Sequence, residues 1–237
     1  MAIKIDVVLP VYNEEKLLRK SVTALSKFLK NNIKDKCNII ITDNGSNDKT
    51  LEIAKQLSKK IRNVTYIHLD GKGRGRALRT AWSKSNSDIL TYMDIDLSTD
   101  IKSFPIIIDA LKNGYDIAMG SRLTKGARVK RSFEREIMSR TYNLLLKIFF
   151  LTKVSDAQIG FKAIKKNVAM RIIPLIRNNN WFFDTELLIL AEHLKYRIFE
   201  TPVTWYQYKH SKVKAFKTII EYIKNIFTLR YRLGSYK

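Results

Sequence analysis

Apolar residues come in two alternating rhythms along the first hundred positions of the chain. Short, nearly continuous apolar runs occupy residues 3–10, 38–43, 64–69 and 89–94 and are bounded by polar residues or glycine, the signature of buried strands. Between them, residues 14–29, 48–60 and 74–84 repeat apolar side chains at helical spacing, which predicts amphipathic helices. Strand and helix alternating in this way predict an α/β fold. Its core is a mostly parallel, Rossmann-like sheet flanked by helices, with ligands gathered at the carboxyl ends of the strands.

Each of those ends carries a polar cluster. Tyr12-Asn13-Glu14 follows the first strand, Asp43-Asn44-Gly45-Ser46 the second, Gly71-Lys72-Gly73-Arg74-Gly75-Arg76 the third, and Asp94-Ile95-Asp96 the fourth. A fifth strand, residues 115–119, runs into Gly120-Ser121-Arg122. Past it come a basic loop (125–135), an apolar helix (137–151), helices from Asn167 and Asp184, a strand over 197–206 and an amphipathic helix from Val213. Neither an internal repeat nor a low-complexity linker divides the 237 residues, so one domain is expected. No apolar run reaches the roughly 20 residues that span a bilayer, and Lys147 interrupts the strongest candidate.

Charge narrows the choice of partner. Lys and Arg number 44 against 22 Asp and Glu, a formal net charge of +22. A field of that sign concentrates nucleic acid, an anionic membrane face or phosphorylated substrates, although a solvated lysine-rich surface is a reading that needs no ligand. Nucleic acid is the least expected, because aromatics are not interleaved with the basic runs and no helix-turn-helix, zinc or RNA-recognition motif is present. The single cysteine, Cys37, cannot form an internal disulfide and no signal-peptide pattern opens the chain, which points to a reducing, cytoplasmic setting.

The sharpest chemical signal is Asp94-Ile95-Asp96. Two carboxylates one residue apart at a strand end suit a hard divalent cation, Mg²⁺ or Mn²⁺, bridging diphosphate oxygens; a turn and a helix cap would also use these residue types. The glycine-rich segment opens a helix, where glycines admit close backbone approach and arginines with the helix N-terminus favour an anion. It is neither a Walker loop nor the dinucleotide fingerprint. Asp43 is expected to present its carboxylate at a strand tip to a base or ribose, and Asp48 to cap the next helix.

Pro10-Val11-Tyr12-Asn13-Glu14, Thr42-Asp43-Asn44-Gly45-Ser46, residues 73–78, Asp94-Ile95-Asp96-Leu97-Ser98-Thr99 and Gly120-Ser121-Arg122 together resemble family 2 glycosyltransferases of the GT-A fold. Asp156-Ala157-Gln158-Ile159-Gly160-Phe161-Lys162, Trp181-Phe182-Phe183-Asp184-Thr185-Glu186 and Ser211-Lys212-Val213 resemble the polyprenyl-phosphate branch of that family. Within it, dolichyl-phosphate β-glucosyltransferases come first and dolichyl-phosphate mannose synthases next. The resemblance implies inverting, metal-dependent transfer of a hexose from a nucleotide sugar, UDP-glucose ahead of GDP-mannose, to polyprenyl or dolichyl phosphate. It implies that Pro10, Tyr12, Glu14 and Asp43 hold the nucleoside with Gly73 and Arg74 close by, and that Asp94 and Asp96 bind the diphosphate through Mg²⁺ or Mn²⁺. Arg122, Arg135 and Ser139 match positions that meet the donor and acceptor phosphates. On this reading residues 1–122 form the nucleotide-sugar half, 123–212 the acceptor half and 213–237 an amphipathic C-terminal helix. Two departures stand out: Asn44 replaces a common second aspartate, and Ser98 stands where mannose synthases usually carry glutamine, which favours glucosyl transfer.

A lipid phosphate is ionised near neutral pH and attacks an anomeric carbon without a strong base. Accordingly, none of the three histidines, His68, His193 and His210, lies in a motif. Asp156 and Glu186 read either as positioning carboxylates or as partners of surface cations. The apolar helix 137–151, with Phe149 and Phe150, and the last helix read either as core or as interfacial contacts of a peripheral membrane protein.

Overall fold

The four opening apolar runs become parallel strands β1 (Lys4–Val11), β2 (Lys36–Asp43), β3 (Val64–His68) and β4 (Ile89–Met93), joined through helices α1 (Leu18–Asn32), α2 (Thr50–Lys60) and α3 (Arg74–Lys84). They belong to a computed structural model that describes residues 3–207 and 215–234. α1 buries Leu18, Val22, Leu25 and Leu29, one stripe of a 3.6-residue period. All five residues of β4 are buried, as expected of an inner strand covered on both faces. The chain continues through α4 (Phe104–Lys112), β5 (Ile117–Ser121), β6 (Arg128–Lys130) and α5 (Phe133–Phe150). Then come β7 (Phe161–Lys165), α6 (Lys166–Ile172), α7 (Phe183–His193), β8 (Ile198–Pro202), β9 (Thr204–Tyr206) and α8 (Ala215–Leu233).

Seven strands form one sheet in the order β3-β2-β1-β4-β7-β5-β8, while β6 and β9 pair separately. Every neighbour in the large sheet is parallel except β7, which runs antiparallel to both β4 and β5. The α/β fold with a mostly parallel sheet is therefore as expected, but β7 and α4 have no counterpart in the sequence reading. Lys162 interrupts the apolar run of β7 yet is 1% exposed, so the usual polar punctuation misleads there.

Several boundaries differ from expectation: α5 starts at Phe133 instead of residue 137, so Arg135 stands on the helix, and the basic loop expected over 125–135 contains β6. Three further differences have local reasons. α1 starts at Leu18 instead of residue 14, because Asn13 adopts a left-handed φ of 54° and the Asn13 and Glu14 N–H groups donate to Ser46 Oγ (2.9 Å) and Thr50 Oγ1 (2.7 Å). β5 ends two residues later than predicted and takes in Gly120, where an added Cβ would lie 2.7 Å from Val203. The predicted strand over 197–206 is two strands, since Val203 donates to the Ser121 carbonyl (3.2 Å) and the chain then switches sheets.

α5 and α8 pack together through Tyr142 against Tyr222 (4.9 Å between ring centroids) and Phe149 against Phe227 (5.0 Å). Their inner faces bury Ser139, Tyr142, Asn143 and Leu146 on α5 and Ile226, Leu229 and Leu233 on α8. Their outer faces expose Phe133, Ile137, Leu144 and Ile148 on α5 and Ile223, Phe227 and Tyr231 on α8. The inner faces are therefore core, and the outer faces leave apolar side chains exposed. Among the described residues no helix is long and apolar enough to cross a membrane. Ser211, Lys212 and Val213 lie outside the described residues, as do the side chains of residues 215–220.

Candidate active site

The tips of β1, β2 and β3 are knitted together by their own polar residues. Pro10 and Tyr12 are half-buried, and Lys72 Nζ sits 4.3 Å from the centre of the Tyr12 ring. Asn44 donates its Nδ2–H to the Val11 carbonyl (3.2 Å), a bond that an aspartate could not make; this is a physical reason for the departure from the family pattern. Asp48 is not the N-cap of α2, a place that Lys49 takes; one residue earlier, it accepts from the N–H groups of Thr50 (2.9 Å) and Glu15 (3.3 Å) and so ties the start of α2 to the loop after β1. Asp43 does not stand open at its strand tip: its side chain is fully buried and its Oδ2 lies 2.7 Å from His68 Nδ1. Sequence reasoning passed over His68, and only the β2–β3 register, which sets the two residues opposite each other, brings it in.

At the end of β4, Asp94 and Asp96 flank Ile95, and the left-handed Leu97 (φ 49°) turns the chain. Asp96 accepts from the Ser98 N–H (2.9 Å). Burial, then repulsion from Asp94 and Glu14, raises the Asp96 carboxyl above its usual range, a crowding that a cation would relieve. Gly160 makes room for the pair: its carbonyl accepts from the Asp94 N–H (3.1 Å), and a Cβ there would overlap the Asp94 carboxylate. Among the described residues no cluster of three or more His, Cys, Asp or Glu could hold a metal. Two hard carboxylates that leave the remaining positions to phosphate oxygens and water nevertheless fit Mg²⁺ or Mn²⁺.

Arg74 sits beneath this pair, with Nη1 2.8 Å from Asp94 Oδ1 and Nε 3.3 Å from Asp184 Oδ2, and stacks over Tyr92 (5.1 Å) and Trp181 (4.9 Å). Burial opposes its charge, but Asp94 and Asp184 outweigh it. Asp184 also accepts from Lys162 Nζ (3.0 Å) and the Tyr92 hydroxyl. Burial pushes Asp184 up to about 7 and Lys162 well down, so desolvation works against the charged form of each partner in this internal pair. The glycines of the 71–76 segment serve the protein's own packing. A Cβ at Gly75 would lie 2.7 Å from Phe183 and one at Gly73 2.8 Å from the Asn179 carbonyl, and the Arg76 N–H already donates to that carbonyl (3.0 Å).

Arg122, expected at the phosphates, is committed elsewhere. Its Nε and Nη2 form a bidentate pair with Asp156 (2.7 Å each), and its N–H adds a third bond (3.0 Å). Burial would raise Asp156, but Arg122 outweighs that and holds its carboxyl below the usual range. Asp156 is therefore a buried positioning carboxylate and not a surface ion partner. Glu186 is likewise buried, accepting from the N–H groups of Arg177 (3.1 Å) and Asn178 (2.9 Å) and from Arg232 Nη1 (2.5 Å). Arg135 is half-buried and shares the inner face of α5 with Ser139, one turn later. The Ser139 Oγ is buried with no hydrogen-bond partner among the described residues.

The chain matches the model of Glycosyl transferase family 2 over residues 6–173. It is 34% identical over 224 residues to the glycosyltransferase AglD of Haloferax volcanii, covering 92% of this chain and 35% of that protein, so it spans about a third of AglD's length. It is 31% identical over 251 residues to the dolichyl-phosphate beta-glucosyltransferase of Dictyostelium discoideum, covering 99% of this chain and 77% of that protein. Glucosyl-3-phosphoglycerate synthase from Mycobacterium tuberculosis, solved with Mn²⁺, UDP and glucosyl-3-phosphoglycerate, superposes with a TM-score of 0.70 at 18% identity, over 98% of this chain and 80% of that one. At that identity the likeness speaks for the fold alone. A family match that runs from within β1 to beyond β7 takes in each of the strand tips described above, and on that ground the chain belongs to glycosyl transferase family 2: it is a glycosyltransferase with a GT-A-like α/β fold.

Proposed function

We propose that this glycosyltransferase moves glucose from UDP-glucose to a polyprenyl phosphate such as dolichyl phosphate, as a peripheral protein on the cytoplasmic face of an anionic membrane. The observation that carries the donor side is the Asp94/Asp96 pair, cleared by Gly160 and backed by Arg74. These two carboxylates would hold Mg²⁺ or Mn²⁺, which when bound supplies Lewis-acid stabilisation of the leaving diphosphate. The name of the Dictyostelium relative, a dolichyl-phosphate beta-glucosyltransferase, supports the lipid acceptor and the transfer of glucose.

Pro10, Tyr12, Glu14 and the Asp43/His68 pair line the nucleoside end, with Gly73 shaping the turn. Arg74 stands where donor charge would gather. The acceptor phosphate falls to Arg135 and to the unpartnered Ser139 hydroxyl, while Arg122 shapes the site through Asp156. An ionised phosphate oxygen attacks the anomeric carbon, the bond from that carbon to the diphosphate breaks on the opposite face, and UDP departs with the electron pair. The configuration inverts and no general base is required. Positioning and charge neutralisation carry the rate.

The outer faces of α5 and α8, with exposed Arg140, Lys147, Lys224 and Arg230 beside their apolar residues, suit an anionic bilayer. The test is incubation with dolichyl phosphate in anionic liposomes, Mn²⁺, and labelled UDP-glucose or GDP-mannose, followed by lipid extraction. Lipid-borne label from UDP-glucose is expected. Label from GDP-mannose alone transfers the enzyme to the mannosyl branch, and label only in a water-soluble product overturns the lipid acceptor.

A further inference from the structure

Resting on the nucleotide-sugar reading above, we propose that His68 reads the nucleobase of the donor, with Asp43 as the residue that positions it. The two side chains end adjacent parallel strands in direct register. Asp43 is closed off and His68 is 38% exposed. Both oxygens of Asp43 are engaged: Oδ1 takes the Ser46 N–H (3.3 Å) and Oδ2 lies 2.7 Å from His68 Nδ1. The loops after β2 and β3 close over it, since a Cβ on Gly45 would meet the Leu69 carbonyl oxygen and the Gly71 nitrogen at 3.2 Å. A ligand arriving at these strand tips therefore meets the imidazole edge before the carboxylate.

The pairing fixes what that edge offers. A carboxylate only accepts hydrogen bonds, so Nδ1 carries a proton, and a ring that holds this one proton presents a lone pair at Nε2. The closest acidic group on that side is the exposed Asp70, whose Oδ1 is 3.9 Å away, beyond a hydrogen bond. Uracil N3 and guanine N1 carry hydrogens that such a lone pair accepts. Cytosine N3 and adenine N1 present lone pairs of their own and are repelled. The Asp43–His68 unit thus passes the acceptor character of a buried carboxylate out to the surface and selects bases with an imino N–H.

The test is calorimetric titration of the full chain, in Mn²⁺, with UDP and with CDP, which differ only in the base. Wild type should bind UDP about tenfold more tightly than CDP, the worth of one well-made hydrogen bond against an unpaired one. His68→Asn places an amide N–H where Nδ1 stands, keeping Asp43 partnered, but stops short of Nε2. It should weaken UDP about five- to tenfold and leave CDP unchanged or somewhat tighter, since the repulsion at cytosine N3 is lifted. If His68→Asn, in which Asp43 stays partnered, still prefers UDP as strongly as wild type does, the imidazole does not read the base and the proposal is overturned. Wild type that binds UDP and CDP equally also overturns it. A wild type that binds neither nucleotide, nor GDP, fails the donor reading itself, a result distinct from lost discrimination.

Discussion

Gly160 shapes the Asp94/Asp96 end of the proposed site by what it lacks. The Gly160→Ala methyl would overlap the Asp94 carboxylate, so this substitution should lower the affinity for Mn²⁺-UDP more than tenfold while the fold loses about 1–3 kcal/mol; calorimetry and a urea melt read the two effects separately. Asp184 gives a prediction in pH. Its folded value of about 7 lies above the unfolded 3.8, so between these the folded state holds a proton that the unfolded chain releases. Its contribution is complete below 3.8 and is lost as pH rises through about 7. Urea midpoints should fall over that window in the wild type and run flatter in Asp184→Asn. The Asp94/Asp96 pair was legible in the sequence because a buried strand ends in two carboxylates. His68, Lys162 and the tie between Arg122 and Asp156 were not, because each depends on a partner that only strand order brings near.

Among elements, α5 shows how one periodicity serves two surroundings. Its inner residues Tyr142 and Leu146 are buried, while Ile137 and Ile148, on the opposite side, are 48% and 63% exposed. Phe149 is not a free lipid contact, since its ring packs on Phe227 and it borders the core. Replacing Ile137 and Ile148 with serine should therefore cut partition into anionic vesicles about tenfold or more and leave stability within about 0.5 kcal/mol. Phe149→Ser should destabilise the fold instead. Unchanged vesicle binding in the double variant would remove the outer face from the membrane model. The helix and its apolar character were readable from spacing. Which face meets protein was not, because apolar residues occur all round it and α8 decides which are covered.

Over the whole molecule, the net charge of +22 predicts that binding to phosphatidylglycerol vesicles weakens steeply as salt rises from about 0.1 M toward 1 M, where the Debye length shrinks from about 10 Å to 3 Å. Sedimentation across that series checks it; binding that ignores salt would leave the charge without a role at the membrane. The alternation of strand and helix fixed the fold class in advance. The strand order escaped prediction because β7 enters the sheet antiparallel between β4 and β5, a long-range choice without a local signal. That insertion also imposes a timetable on a chain emerging from the ribosome. A slot one strand wide stays open at the middle of the sheet until residues 161–165 have been made, and until then the flanks cannot join. Nascent chains stalled ahead of β7 should be cut readily by protease and occupied by chaperones. Resistance should begin to build only after Lys165 has cleared the exit tunnel, and be complete once α7 and β8 have followed.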